Sequence, residues 1–297
     1  MSDGSSMYTN ARLVCKQIIE RNLSADNFLS IKQFKNYRMI MDSYSGLKFY
    51  QYCSPSDRRI DQFDNNIFSC SNPLCFNDIF EGMVVAKDEI ERASVRETIK
   101  KACNAVFIGC FSESWDNLLM NAHYSASFTG FCLEYDYTRM RTHFPYLYFF
   151  PVIYQDHPSA LAKIIQLGQD IDQVNAEIAT GKLSFKKIDD VISYFIHKAD
   201  IWEYEREWRL IIPVTQYENF GGRIENDYFL LIENFDCVSA VYLGANITDE
   251  NKEKILEIVR RKNADRRRST SGLPEIEVYE TGICQDSYKL ISKKVAL

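Results

Sequence analysis

Three glutamates alternate along the stretch WEYEREWR, which spans residues 202–209. If this stretch forms a β-strand, its side chains alternate between two faces, and Glu203, Glu205 and Glu207 share one of them. Neighbouring carboxylates on one face lie about 7 Å apart. Like charges at that spacing raise each other's pKa unless a cation lies among them. Such a row is therefore expected in a cleft that binds a cation, a metal or a developing positive charge.

A helical interpretation of the same stretch is also open. An apolar helical stripe, with spacings of three, four and three residues, is formed by Ile201, Tyr204, Trp208 and Ile211. The glutamates would then lie on a solvated face. Pro213 and the run LIIPV favour a strand at least from Arg209 onward. We predict β-structure at about 206–214, with the two tryptophans and the tyrosine of WEYEREWR packed inward.

A second group of candidate residues lies in the stretch NAHYSASFTGF. His123, beside Tyr124 near the predicted end of a helix, could act as a general base or be a hydrogen-bonded core residue. His197 has the same two interpretations. The sequence has no G-x-G-x-x-G, P-loop, H-E-x-x-H or G-x-S-x-G motif, which argues against the nucleotide-binding, metalloprotease and hydrolase sites that those motifs define.

The length and composition are typical of a globular protein, because the 297 residues include 46% hydrophobic and 26% charged residues. The net charge of −6 does not favour nucleic acid as a partner. Nine cysteines without paired short spacings predict free thiols and no zinc. The N-terminus is polar, and the most apolar run, at 146–154, is too short to span a bilayer. We therefore expect a cytoplasmic protein with no membrane contact.

The predicted elements mix strands and helices without a regular βαβ rhythm. Apolar or alternating runs predict strands at 105–112, 129–135 and 147–154. Helices are predicted at 86–103, at 114–124 after Ser114, across 158–199 with a break near Gly181, and from Thr248 to about Arg261, followed by a basic loop at 260–269. This pattern predicts an α+β fold with a mixed, mainly antiparallel sheet. The expected organisation is one domain at 46–297 after an N-terminal helical lead-in at 1–45.

Several segments occur in the order found in a bacterial family, domain of unknown function 2971, which this chain resembles. They include LKFYQY, FSCSNPLCFNDIFEG, GCFSE, NLLMNAHYSASFTGFCLEYD, KADIWEYEREWRLI and VYLGANIT. The resemblance covers about residues 46–292, and its most specific parts are the W-x-Y-E-x-E-W-R and F-N-D blocks. It implies a cytoplasmic bacterial protein in a phage-defence context, with a protein partner encoded in the same defence locus, but it implies no reaction.

The chain departs from the family pattern at three positions. Cys53 stands near the place of an expected arginine, Asn121 replaces a tryptophan, and Ile79 replaces a proline. The arginine would be a natural ligand for phosphate or ribose. Arg58 or Arg59 could take its place.

The glutamate pair in EYERE is similar to the E-x-E strand of ADP-ribosyltransferases, which break the nicotinamide–ribose bond of NAD through an oxocarbenium-like state. In that chemistry Glu207 would stabilise the positive charge and Glu205 would orient the acceptor. We therefore expect NAD as a substrate and no metal. The other candidates are His123 for catalysis and, for binding the nucleotide, Tyr124, Ser127, Arg58 and Tyr50.

Two other classes of function stay open. One is a non-enzymatic sensor or partner-binding module whose exposed aromatic side chains act as anchors. The other is a metal-dependent nuclease with Glu203, Glu205 and Asp136 as oxygen ligands. We rank the nuclease last, because the sequence has no Asp…Glu-x-Lys arrangement and the protein is acidic.

Overall fold

The structure is a computed structural model, and it describes residues 8–14, 16–17, 39, 41–43, 46–78, 100, 102–143, 149–156, 195–270 and 272–297. The chain divides into two compact units. Unit 1 comprises Met1–Ser45, Ser69–Cys110 and Tyr146–Ile232, and unit 2 comprises Gly46–Phe68, Phe111–Pro145 and Glu233–Leu297. The organisation predicted from the sequence, with a boundary at residue 45, stays a prediction.

Strands and helices are intermixed along the described residues. The strands are β1 (Lys48–Cys53), β2 (Phe68–Ser71), β3 (Val106–Phe111), β4 (Phe131–Asp136), β5 (Phe149–Pro151), β6 (Ile153–Gln155), β7 (His197–Ala199), β8 (Trp208–Pro213), β9 (Gly222–Glu225), β10 (Phe229–Ile232), β11 (Val238–Leu243), β12 (Glu277–Ile283) and β13 (Leu290–Lys294). The helices with described bounds are α1 (Asp57–Asp64), α2 (Leu118–Tyr124), α3 (Tyr137–His143) and α4 (Asp249–Arg268). Short 3₁₀ helices span Pro73–Cys75, Asp200–Glu205 and Val214–Phe220.

The sheets confirm the predicted α+β class. The sheet of unit 2 has the order β1-β4-β11-β12-β13, in which β11 and β12 are parallel and the other neighbours are antiparallel. The order β5-β8-β3-β2-β10-β9 describes a six-stranded sheet that lies mainly in unit 1. Unit 1 also contains the parallel pair β6-β7. The strands predicted at 105–112, 129–135 and 206–214 are present within a few residues, whereas the described part of the strand predicted at 147–154 is divided between β5 and β6, which belong to different sheets.

The sheet of unit 2 has one apolar face and one polar face, because side chains alternate along each strand. On β4, Phe131, Leu133 and Tyr135 are buried. Tyr135 lies in an aromatic cluster whose ring centroids are 4.9–5.8 Å apart, formed with Phe68, Phe111 and Phe235. The side chains between them, including Glu134, therefore project from the opposite, polar face.

Helix α4 is longer than the sequence indicated. It begins at the predicted cap Thr248, whose hydroxyl accepts from the Asn251 N–H (3.3 Å), but it continues to Arg268. The predicted basic loop at 260–269 is therefore wrong. Arg266 is buried and donates to the carbonyls of Pro274 (2.8 Å) and Val238 (3.0 Å), so tertiary hydrogen bonds hold the last turns in a helix.

Two other predicted helix boundaries need correction. Helix α2 starts after Asn117, whose side chain accepts from the Met120 N–H (3.1 Å), and Ser114 instead donates to Asp116. Residues 197–199 form β7 rather than the end of a helix. The rest of the predicted helices at 86–103 and 158–199 lies outside the described residues, apart from 100, 102–103 and 195–196. Among the described residues, no helix is both long enough and apolar enough to cross a lipid bilayer.

Replacing Trp208 by alanine is expected to lower the free energy of unfolding by about 3–5 kcal/mol. Trp208 is 0% exposed, and its ring stacks on Phe149 with centroids 5.3 Å apart. Trp202→Ala is the control, because Trp202 is only half-buried. Urea unfolding of the two variants measures the difference, and a loss below about 1 kcal/mol for Trp208→Ala would contradict the buried placement.

Candidate functional site

The first half of WEYEREWR is neither a strand nor an α-helix. Asp200–Glu205 is a 3₁₀ helix, Arg206 ends it with a left-handed φ of 45°, and β8 begins only at Trp208. This turn separates the glutamates, since Glu203 is exposed whereas the other two are buried. The predicted row of carboxylates facing a cleft is therefore wrong. The aromatic prediction holds in part, because Trp208 is buried but the other two rings are half-buried.

Glu205 and Glu207 belong to a buried ionic cluster in unit 1. Lys198 Nζ lies 2.6 Å from Glu205 Oε2 and 3.2 Å from Glu207 Oε2. Arg209 donates to both oxygens of Glu207, at 2.8 and 3.1 Å, and also to the carbonyl of Phe195 at 2.6 Å. The four charged side chains are each at most 6% exposed. Two cations thus neutralise two carboxylates without any ligand.

The surroundings of Glu207 indicate an architectural role for this cluster. Burial raises the pKa of Glu207, but Arg209 and Lys198 outweigh burial, and its pKa is lowered. The Glu207 N–H donates to the Tyr154 hydroxyl (2.8 Å), and Arg12 donates to the Glu207 carbonyl (3.1 Å). The cluster therefore connects the N-terminal helical residues, β6 and the start of β8.

A different carboxylate, on the polar face of unit 2, has three hydroxyl partners. Tyr50 lies directly opposite Glu134 across β1 and β4, and its hydroxyl donates to Glu134 Oε2 (3.2 Å). Tyr242 donates to the same oxygen (3.1 Å), and Ser239 donates to Oε1 (2.7 Å). The Glu134 side chain is 12% exposed. Because a carboxylate offers about four lone-pair sites, one acceptor position remains for a ligand.

The charges around Glu134 favour a positively charged ligand. Lys48 Nζ lies 3.9 Å from Glu134 Oε1 and 2.6 Å from Asp136 Oδ2. Burial raises the pKa of Asp136, but the hydrogen bond from Lys48 and the Arg139 backbone N–H outweigh it, so the pKa is lowered. One ammonium group is therefore shared by two carboxylates, and Arg139 adds a second positive charge near Asp136, so Glu134 is the less closely paired of the two carboxylates.

Aromatic rings border this carboxylate. Trp115 stacks on Tyr242 with centroids 4.7 Å apart, and Tyr242 stacks on Tyr279 at 4.8 Å. Burial and the nearby Glu134 raise the pKa of Tyr242, so its hydroxyl stays protonated and remains a donor at neutral pH. The hydrogen bond to Glu277, together with burial, raises the pKa of Tyr279 to about 12. We call Tyr50, Glu134, Ser239, Tyr242 and Trp115 the tyrosine–glutamate site.

Local backbone features position the members of this site. The register of β11 against β4 shifts between Val238 and Ala240, and this bulge directs the Ser239 hydroxyl onto Glu134. The Asn121 amide donates to the Trp115 carbonyl (3.0 Å) and so holds the loop that carries the indole. Asn121 is the residue that replaces the tryptophan of the family pattern, so the substitution has a structural use here.

Among the residues predicted from the sequence, Tyr50 is the one that lies in the tyrosine–glutamate site. His123 is exposed near the end of α2, with its ring centroid 6.3 Å from that of Tyr124. Ser127 is exposed, and Arg58 is exposed on α1. In the described part of the chain, the hydrogen-bond partners of Glu134 do not include the side chains of His123, Tyr124, Ser127 and Arg58. Their predicted roles stay predictions.

The loop that carries Ser127 has an unusual backbone. Residues 126, 127 and 128 all have positive φ values, of 49°, 55° and 68°. Non-glycine residues in this region cost about 1–3 kcal/mol each and cluster at functional sites. Gly130 follows, and a Cβ atom there would lie 2.0 Å from the Cys53 carbonyl oxygen, so only glycine fits against the end of β1. The loop is therefore held close to the edge of the site.

The expected arginine near Cys53 also has a counterpart. Burial raises the pKa of the Cys53 thiol to about 11, and the positive charge of Arg59 acts in the opposite direction. Arg59 rather than Arg58 therefore lies near this position. The eight described cysteines are not in disulfide bonds, and no group of three or more metal-ligating side chains occurs in the described ranges. The expected lack of a metal stays a prediction.

Sequence reasoning missed four members of the site, namely Trp115, Glu134, Ser239 and Tyr242. Glu134 had a detectable signal, because FCLEYD alternates and places a carboxylate on the polar face of a predicted strand. Asp136, the nearby residue that we considered as a nuclease ligand, is paired with Lys48, whereas Glu205 is paired with Lys198.

The fold and this site define an α+β protein with a tyrosine-rich polar sheet face. The model of the family described as Protein of unknown function (DUF2971) matches residues 120–210. The match supports, over this segment, the resemblance that the sequence motifs indicated. The matched segment contains both the buried glutamates and Glu134. No match was found among curated proteins, and none was found among solved structures.

Proposed function

We propose that the protein binds NAD at the tyrosine–glutamate site and breaks its N-glycosidic bond, in the manner of an ADP-ribosyltransferase or an NAD glycohydrolase. The observation that supports this proposal is the state of Glu134. It is a partly exposed carboxylate with a remaining acceptor position, next to aromatic rings and 3.9 Å from the nearest described ammonium.

The chemistry needs a negative charge close to the ribose. When the bond between ribose C1 and nicotinamide breaks, its electron pair goes to the nicotinamide nitrogen, and positive charge develops on the ribose. Water or an acceptor hydroxyl then adds to C1 and releases a proton. Glu134 can stabilise the positive charge, and the hydroxyls of Tyr50, Ser239 and Tyr242 hold its oxygens in place.

This proposal moves the catalytic carboxylate from Glu207 to Glu134. Glu207 is enclosed by Arg209 and Lys198, so its charge is already balanced by cations within 3.2 Å. A developing positive charge gains little from a carboxylate in that state. By contrast, the nearest ammonium group that the structure describes around Glu134 is that of Lys48, whose Nζ lies 3.9 Å from Glu134 Oε1.

The ligand class follows from charge and ring chemistry. The nicotinamide ring of NAD is positively charged, and a carboxylate whose nearest described ammonium is 3.9 Å away attracts such a ring. The half-buried indole of Trp115 offers a π-surface on which an aromatic ligand ring can stack.

A second candidate function is a non-enzymatic sensor in a phage-defence system, in which a partner protein recognises the liganded state. The observation that favours it is the saturation of Glu134, since three hydroxyl donors already occupy most of its acceptor positions. Such a carboxylate would fix the orientation of a bound ligand even if no bond were broken.

Incubation with NAD that is labelled in its nicotinamide separates these functions. The proposal predicts binding by calorimetry at millimolar or lower concentration, together with release of labelled nicotinamide. Binding without release would support the sensor. Failure to bind at millimolar concentration would overturn the NAD proposal and leave the partner-binding module as the better candidate.

A further inference from the structure

We infer that the ligand is a dinucleotide whose adenine half occupies a second subsite, in a groove between α2 and the β12–β13 hairpin. This inference rests on the proposed function and deepens it. The groove has a volume of ≈ 600 Å³, within the range of about 300–1,000 Å³ found for small-molecule sites. Its apolar lining includes Leu118, Phe128 and Ile283.

The groove continues from the tyrosine–glutamate site on the same sheet. Trp115 lies in the loop just before α2, and Leu118, three residues later, is the first residue of that helix. Ile283 follows Tyr279 by four residues along β12, so their side chains lie on the same face, roughly 13 Å apart along the strand. A ligand with one ring system beside Trp115 can therefore reach the groove only if it carries a second ring system on a linker.

The chemistry of the groove fits adenosine. Apolar side chains cover the faces of a base, and the side-chain amides of Asn246 and Gln285 can both donate to and accept from its edge. Lys289 contributes the cation of the lining, and it lies in the hairpin turn, where the Cys284 N–H donates to its carbonyl (2.9 Å). Asp286 in the same turn balances that charge, so specificity comes from shape and hydrogen bonding.

The exposure of the apolar lining also needs an explanation. Leu118 is 38% exposed and Ile283 is 71% exposed. A ring bound between them would remove apolar surface from water, which favours the complex. This gain is available to NAD but not to nicotinamide mononucleotide, which lacks the adenosine half.

The experiment compares NAD with nicotinamide mononucleotide in matched pairs of variants. Leu118→Ser and Ile283→Ser alter the groove. Leu119→Ser and Ile291→Ser change apolar side chains that are 48% and 54% exposed and do not line it. We expect each groove variant to weaken NAD binding by roughly tenfold, with no change for the mononucleotide. We expect the two control variants to match the wild type for both ligands.

The outcomes separate this inference from the proposed function. Equal binding of NAD and the mononucleotide by the wild type would overturn the second subsite, while Glu134-dependent binding of both would leave the proposed function standing. Equal effects of groove and control variants would overturn it as well. If neither ligand binds, the proposed function and this inference are both overturned. Melting temperatures of all four variants, expected to agree within a few degrees, exclude unfolding as the cause.

Discussion

Glu207→Gln is expected to lower the free energy of unfolding by about 3–5 kcal/mol, because it removes one partner from a buried ion pair. The neutral amide of glutamine cannot balance the positive charge of the Arg209 guanidinium, which is only 1% exposed. Lys198 would keep Glu205 as its partner, so one buried positive charge would remain in excess. Urea unfolding of wild type and variant measures the loss.

The motif provides its own control. Glu203 belongs to the same stretch but is exposed, so Glu203→Gln should change the free energy of unfolding by no more than about 0.5 kcal/mol. If Glu207→Gln were as stable as Glu203→Gln and yet lost NAD cleavage, the architectural role would be wrong. The role predicted from the sequence, a carboxylate that faces the ligand, would then be restored.

The stability that Glu207 contributes should also depend on pH. Its pKa in the folded state lies below the ordinary value of 4.5, so the contribution is fully present above that value. It is lost as the pH falls from 4.5 through the lowered pKa of the folded state. The difference in stability between wild type and Glu207→Gln should therefore be constant near neutral pH and shrink in acid.

The strands were predictable because their sequences carry a local signal. AVFIGCF and FCLEYD are apolar or alternating over a whole strand, and they form β3 and β4 close to the predicted bounds. The cap at Thr248 was found for a similar reason, since a threonine before an acidic first turn is a local pattern.

WEYEREWR was not predictable from local patterns, because its conformation depends on distant partners. Arg206 adopts a left-handed conformation that non-glycine residues rarely take, and no neighbouring residue signals it. The burial of Glu205 and Glu207 depends on Lys198, which β7 brings into place beside β6. The alternating sequence therefore predicted that the three carboxylates share one face of a strand. In the structure, the turn at Arg206 separates them.

The site could be found from sequence only in part. Tyr50 and Glu134 lie on predicted strands, but their pairing requires the register of β1 against β4. Ser239 reaches Glu134 because of a bulge, and a bulge of this kind has no clear signature in the sequence. Tyr242 is more than a hundred residues from Glu134, so only the sheet order brings them together.

Glu134→Gln is expected to reduce the release of nicotinamide from NAD by on the order of 10²–10³, the usual loss for one aimed electrostatic contact. Glutamine keeps the size of the side chain and can still accept hydrogen bonds through its single oxygen. It removes the negative charge that would face the oxocarbenium. Rates with labelled NAD, measured at saturating ligand, report this loss directly.

The matched control is Glu277→Gln. Glu277 lies on the polar face of the same sheet and is paired with Lys294 (2.5 Å), but it makes no contact with Glu134 in the described part of the chain. Its replacement should leave the rate unchanged. Tyr50→Phe and Tyr242→Phe should give intermediate losses, because each removes one of the hydroxyls that orient the carboxylate.

Stability and activity together decide between the two carboxylates. Glu134 is partly exposed and is held by neutral hydroxyls, so Glu134→Gln should lower the free energy of unfolding by no more than about 1–2 kcal/mol. Glu207→Gln should show the opposite pattern, a large loss of stability with NAD cleavage retained by the fraction that stays folded. Unchanged nicotinamide release in Glu134→Gln would remove Glu134 from the chemistry. A parallel loss of folding and activity in that variant would make the tyrosine–glutamate site structural, since a charge that acts only on the ligand has no reason to stabilise the free protein.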